Sequence, residues 1–296
     1  MKFIRRLIKF IVPHGIVELR RKALFRKFPP SAAIPDPPPD RTRFHETRKR
    51  VLAIADTIDL TGGRGINGMD RNQVAEFLLA RGVPDQHLIA GSIPTASLSF
   101  LHQQISTLVP SAVPVYALHI GNFVGVSLAY VAEACRQHHK NSLVVAIDPN
   151  VPHRGVSNPQ EHVAALLCAC GLQRNTMLIA GYSGVKSVSN DGVTFESYHP
   201  GLAFANESAC EQTLLNLGKI LPKTFHLAVV DGNHQASYLI EEIHQLKPLM
   251  RPGGIIVFDD VDANWNEIKD VFENLPQLGL ITIATDGRIG IAQIAA

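Results

Sequence analysis

The chain has 296 residues, 46% hydrophobic and 18% charged, enough to bury one substantial core plus an appendage. Its formal net charge is only +2, yet fourteen of the 28 Lys and Arg residues fall in the first fifty positions against four Asp and Glu, an asymmetry that points the N-terminus, and not the acidic body, toward an anionic surface. Cys135, Cys168, Cys170 and Cys210 form no C-x-x-C pair and suit no zinc site, so they are expected as reduced packing residues of a cytoplasmic protein.

The N-terminal MKFIRRLIKFIV places Phe3, Ile4, Leu7, Ile8 and Ile11 on one helical face and Lys2, Arg5, Arg6 and Lys9 on the other. No apolar run is long enough to cross a bilayer, and these cations break a signal-peptide core. Two readings stay open for residues 1–30: peripheral contact with an anionic membrane, each cation adding about 1 kcal/mol near the surface, or packing against the body or a second copy in a homo-oligomer. Residues 31–40, SAAIPDPPPD, read as a proline-rich linker closing a first segment at about residue 45. Residues 46–110 read as a small helical cap, with MDRNQVAEFLLARG opening at an Asp70 cap and SLSFLHQQISTL as a second amphipathic run.

From residue 111 to 296 apolar strands alternate with helices, the pattern of a parallel sheet covered on both faces. The strands are VPVYALHI, SLVVAIDP, NTMLIAG, FHLAVVDG, GGIIVFDD, LITIATD and IGIAQI. The last two are joined by a turn around Asp286, Gly287 and Arg288, too tight for a parallel crossover, so they must form an antiparallel hairpin. The expected fold is therefore α/β and Rossmann-like, with a mostly parallel seven-stranded sheet, a C-terminal antiparallel hairpin and an N-terminal helical extension.

The first strand runs into HIGNFVGVS, where Gly121 and Gly125 let the backbone approach a ligand and Asn122 and Ser127 flank the start of a helix. Any tight strand-to-helix turn can also use two glycines. One βαβ unit later AIDPN puts Asp148 at a carboxyl edge, placed to accept from both ribose hydroxyls or merely to open a turn before Pro149. AGYSG brings Gly181 and Ser183 to the same edge, where they could flank an adenine. The fourth and fifth strands end in VVDGNH and VFDD, delivering Asp231, His234, Asp259 and Asp260 to one rim. Carboxylates converging there repel one another unless a cation sits among them, and an all-oxygen set suits Mg²⁺. In the bland alternatives His234 starts a helix and one of the two aspartates caps the next. The long segment from Gly184 to Glu207, with Tyr198, His199 and Phe204, reads as a lid or substrate-recognition loop.

These residues carry a resemblance. HIGNFVGVS, AIDPN, the run VVDGNHQASYLIEEIHQLKPLMRPGGIIVFDD and the closing hairpin resemble the class I S-adenosylmethionine-dependent methyltransferases that include macrocin-type O-methyltransferases and cephalosporin-hydroxylase-like proteins, over about residues 113–294. The resemblance implies that His119, Gly121, Asn122, Gly125, Ser127, Asp148, Gly181, Ser183 and Asp231 contact S-adenosylmethionine. It further implies that Asp231, Asp259 and Asp260 hold a divalent ion such as Mg²⁺, and that His234 and Asp231 do the chemistry. His119 stands where the family carries an acidic residue two positions before its glycine.

The function expected is methylation, on oxygen, of a small-molecule or glycan acceptor. The runner-up is a non-catalytic Rossmann-like binding protein tethered by its basic N-terminus. A nicotinamide dehydrogenase is disfavoured by the missing G-x-G-x-x-G and by the hairpin. Nucleic acid is disfavoured as a partner because the basic residues sit on a detachable arm.

Overall fold

The computed structural model describes residues 71–110, 112–185 and 211–295. The basic N-terminal helix, the proline-rich linker, the Asp70 cap, Cys210 and nearly all of the Gly184–Glu207 loop lie outside the described residues. Seven strands form one sheet in the order β3-β2-β1-β4-β5-β7-β6. They are β1 (Tyr116–Ile120), β2 (Leu143–Asp148), β3 (Thr176–Ala180), β4 (Phe225–Val230), β5 (Met250–Phe258), β6 (Leu280–Thr285) and β7 (Gly290–Ile294). β1 to β5 pair in parallel. β7 enters antiparallel between β5 and β6, in register Phe258 with Gly290 and Ile256 with Ala292.

Helices cover both faces: α1 (Arg71–Ala80), α2 (Asp85–Ala90), α3 (Thr95–Leu108), α4 (Val126–His138), α5 (Pro159–Ala169), α6 (Thr213–Ile220), α7 (Ala236–Leu246) and α8 (Asn266–Glu273). Because successive strand residues point to opposite faces, the apolar runs split into two cores. Ala117, Val144, Leu227, Val229 and Val257 join Leu78, Leu101, Ile105, Leu128 and Leu166 from α1, α3, α4 and α5. Leu118, Ile147, Ala228, Val230, Ile256 and Phe258 join Leu214, Leu239, Ile243, Ile268 and Phe272 from α6, α7 and α8. Burial of each Val, Leu, Ile or Phe side chain among them stabilises the fold by about 1.5–3 kcal/mol.

The described part of the helical cap thus shares one core with the sheet, Leu78 and Ile105 being wholly buried. Two elements depart from the expectation. α2 is six residues long, too short for a periodicity to declare it, and β5 begins at Met250, three residues before the glycine pair. Among the described residues no helix is long and apolar enough to cross a membrane.

The chain leaves β1 toward β2 and leaves β4 toward β5, in opposite directions along the sheet. A crevice opens where neighbouring connections diverge, outside the carboxyl ends of these two strands.

Candidate active site

That crevice is a cavity of about 400 Å³, within the range of small-ligand pockets. Its floor depends on a close approach of β1 to β4. Gly121 has φ +79°, and a Cβ there would sit 1.8 Å from the carbonyl oxygen of Asp231. Asp231 N donates to Ile120 O at 2.9 Å across the same approach, and Gly121 N donates to Ile147 O at 3.0 Å, tying the turn to β2.

Asp148, at the end of β2, is tied to the glycine turn. Its Oδ2 accepts from Asn122 N at 2.8 Å and its Oδ1 from Asn150 N at 2.7 Å. Burial pushes its carboxyl above the usual range, and the N–H donors of Asn122, Asn150 and Phe123 hold it down. Each oxygen keeps acceptor capacity toward the cavity. Asn150 in turn accepts from Gln160 N at the start of α5.

Gly121, Asn122, Ser127, Asp148, Gly181, Ser183 and Asp231 all line the cavity. Of the residues expected to contact the cofactor, His119 and Gly125 are not among those that line the cavity. β1 alternates, and His119 shares the face of Ala117 over the helical core, fully buried. Burial depresses its pKa to about 4 against the opposing influence of the Asn122 side chain and Gly121 backbone, so the imidazole is neutral, and neither ring nitrogen closes a hydrogen bond. Gly125 has φ +91° and a Cβ there would meet Val163 Cα at 3.2 Å; it serves the packing of α4 on α5.

Ser183 donates to Glu242 Oε1 at 2.5 Å and contacts Tyr238 Oη at 3.2 Å. Glu242, on α7, is wholly buried, its Oε2 has no partner, and burial raises its pKa to about 8 against the Ser183 bond. Nothing in the sequence distinguished this glutamate from its exposed neighbours.

The acidic rim differs most from expectation. Arg288, in the β6–β7 turn, forks onto Asp259, with Nε to Oδ1 and Nη2 to Oδ2 both at 2.9 Å. Its Nη2 also lies 2.7 Å from Asp260 Oδ1. The remaining oxygen, Asp260 Oδ2, is 2.6 Å from His234 Nε2, and the His234 ring stacks on Trp265 with centroids 4.0 Å apart. Burial, then the charges of Asp259 and Asp260, raise the Asp231 carboxyl well above the usual range, with Arg288 opposing. Asp259 is also raised by burial, with the Arg288 bonds pulling down. Burial works against the guanidinium, but the bonds and charges of the three aspartates overcome it and hold Arg288 above its ordinary pKa.

The expected Mg²⁺ set, Asp231, Asp259 and Asp260, does not fit this arrangement, because both Asp259 oxygens are held by a cation already present. Donor atoms of Asp231, His234 and Asp260 do lie within 4.8 Å of one another. The His234–Asp260 separation, however, is that of a hydrogen bond, shorter than the roughly 3 Å between adjacent donors on an octahedral ion with bonds of about 2.1 Å.

Arg288 and Trp265, which the sequence motifs did not single out, line the cavity beside His234 and the three aspartates. Gly91 and Ser92, at the α2–α3 junction, also line the cavity, and Ser92 Oγ is buried without a partner.

A family described as a methyltransferase domain matches residues 118–261. A search of curated proteins by sequence finds no match. Among solved structures, the SAH-bound methyltransferase PaMTH1 of Podospora anserina is similar at TM-score 0.50 and 16% identity, over 88% of this chain and 99% of that one. The cofactor-bound protein Rv0187 from MTB is similar at TM-score 0.46 and 15% identity, over 87% and 97%. The SAM-dependent O-methyltransferase TM0748 of Thermotoga maritima is similar at TM-score 0.46 and 10% identity, over 75% and 71%.

Proposed function

We propose that this chain is a class I methyltransferase, the reading that the matched methyltransferase domain and the shared fold support, and that it methylates a hydroxyl oxygen of a small-molecule or glycan acceptor, with S-adenosylmethionine as donor and His234 as the group that takes the hydroxyl proton. The supporting observation is the His234–Asp260 hydrogen bond on the cavity wall.

The cavity suits the cofactor in size, in the glycine cradle that a Cβ would fill, and in orphaned buried polar atoms beside it, Asn122 Oδ1 and Ser92 Oγ. When bound, S-adenosylmethionine supplies an electrophilic methyl group on a sulfonium. Asp148 would accept from the ribose hydroxyls, Ser183 and Gly181 would flank the adenine, and Gly121 and Asn122 would face the methionine portion.

Asp260 fixes the imidazole with its N–H on Nε2, which leaves Nδ1 as the nitrogen that can accept a proton. Among the described residues Nδ1 has no hydrogen-bond partner. Trp265 holds the ring plane. An acceptor hydroxyl held in line with the sulfonium methyl group would give up its proton to His234 as the methyl–sulfur bond electrons leave with neutral S-adenosylhomocysteine, and His234 would be restored when the proton leaves to solvent. General-base help of this kind is worth about 10²–10⁴ in rate, and positioning supplies the rest.

Calorimetric titration with S-adenosylmethionine and S-adenosylhomocysteine, with NAD as control, tests the reading. Saturable binding of the first two alone is expected. Absence of binding overturns the proposal, and binding without transfer to any hydroxylated acceptor favours a non-catalytic role.

A further inference from the structure

We propose that Arg288 is the resident cation of this site, occupying the charge position that a divalent ion would otherwise take, so that the folded protein binds no divalent ion among Asp231, Asp259 and Asp260. The inference rests on the methyltransferase reading only for the role of the site; its geometry stands independently.

Three of the four carboxylate oxygens of the Asp259–Asp260 pair accept a hydrogen bond, and the fourth, Asp260 Oδ1, faces the guanidinium as an ion pair without one. Arg288 covers both oxygens of Asp259 and Oδ1 of Asp260, and His234 covers the last. A planar guanidinium suits this task because its parallel N–H groups match the edge of one carboxylate while its delocalised charge lies beside the second. The two acids are almost wholly covered, with side chains 3% and 6% exposed. Without a cation at that depth they would be unpaired buried charges, which strongly destabilises a fold.

The arginine is placed by the backbone and not by chance of rotamer. β7 runs antiparallel to β5, so the turn before it lies at the carboxyl end of β5, and Val261 N donates to Arg288 O at 3.0 Å. Asp286 Oδ1 accepts from both Arg288 N and Ile289 N, at 2.9 and 2.7 Å, fixing the turn from inside. On the other side Asp260 adopts φ +61°, a left-handed conformation that costs a non-glycine residue free energy and persists only where its surroundings enforce it. In that conformation Asp260 bridges Arg288 to His234. Arg288 is thus a positioning residue: it holds Asp260, and Asp260 holds the imidazole.

The test is titration of the full chain with Mn²⁺, following free ion by electron paramagnetic resonance, for the wild type, Arg288→Gln and Arg288→Ala. The expected result is no saturable site in the wild type. In a folded Arg288 variant, where the acids have lost their cation, one Mn²⁺ per chain should bind on the order of tenfold or more tightly than to wild type. The glutamine variant, which keeps much of the side-chain volume, guards against misfolding of the alanine variant. Stoichiometric Mn²⁺ uptake by the wild type that Asp260→Asn removes would overturn the proposal, and so would no uptake by either folded variant. Because the readout is ion binding, it is separate from the cofactor titration: failure of S-adenosylmethionine to bind would remove the methyltransferase reading and leave this result intact.

Discussion

Gly121 and Asp231 meet so closely that a methyl group on the first would lie 1.8 Å from the carbonyl oxygen of the second. The pair joins the carboxyl ends of β1 and β4 and so shapes the floor of the cavity. Gly121→Ala is expected to cost several kcal/mol, roughly 1–2 from the left-handed backbone and the remainder from the clash. Gly287→Ala makes the control, since Gly287 has φ +95° with nothing within 4 Å and should lose only the backbone share. Urea denaturation of both variants measures the difference; equal losses would deny the close approach.

Replacing His234 separates chemistry from binding. His234→Ala should lower turnover by about 10²–10⁴ while leaving the dissociation constant for S-adenosylmethionine within about twofold of wild type. Asp148→Asn should do the reverse, weakening cofactor binding by about tenfold through loss of a charged acceptor. A His234→Ala enzyme with unchanged turnover would remove the general base from the proposed mechanism.

Glu242 makes stability depend on pH. Its folded pKa, about 8, lies above its ordinary value of 4.5, so its contribution is full below about pH 4.5 and is lost as pH rises to about 8, at about 1.4 kcal/mol per unit. His119 runs the other way: its folded pKa of about 4 lies below 6.5, so its contribution is present above about pH 6.5 and lost as pH falls. The two slopes oppose each other between about pH 4.5 and 6.5, and above that only the Glu242 slope remains of this pair. Glu242→Gln, which keeps an acceptor for Ser183, should therefore gain stability on wild type as pH rises from 6.5 to 8. Melting curves at several pH values check this; a constant difference between the two proteins would contradict it.

The basic N-terminus is proposed to touch anionic membrane. Removing residues 1–30 should abolish sedimentation with phosphatidylserine vesicles at low salt and leave cofactor binding unchanged. Equal sedimentation of both proteins would sink the idea.

The central strands could be read from runs such as SLVVAIDP and FHLAVVDG, because a strand buried on both faces must be apolar along its length, whereas the edge strands β3 and β6 are apolar in sequence yet half-buried to exposed along most of their length. The turn at Asp286–Arg288 declared the hairpin, because three residues cannot carry a parallel crossover. AIDPN and VVDGNH likewise announced that Asp148, Asp231 and His234 would reach one edge, since the carboxyl ends of parallel strands lie together. Local pattern and chain connectivity thus determined the sheet and which rim would hold the site. What only the tertiary structure decided is how the charges on that rim are matched. Arg288 reaches Asp259 because β7 inserts beside β5 and brings positions 29 residues apart into contact. His119 lies buried because the pleat turns it from the cavity, and Glu242 is distinguished from exposed Glu241 only by the face of α7 it occupies. Strand pattern is local along the chain, whereas charge partners are fixed by side-chain direction and strand order, which become definite only when the sheet is assembled.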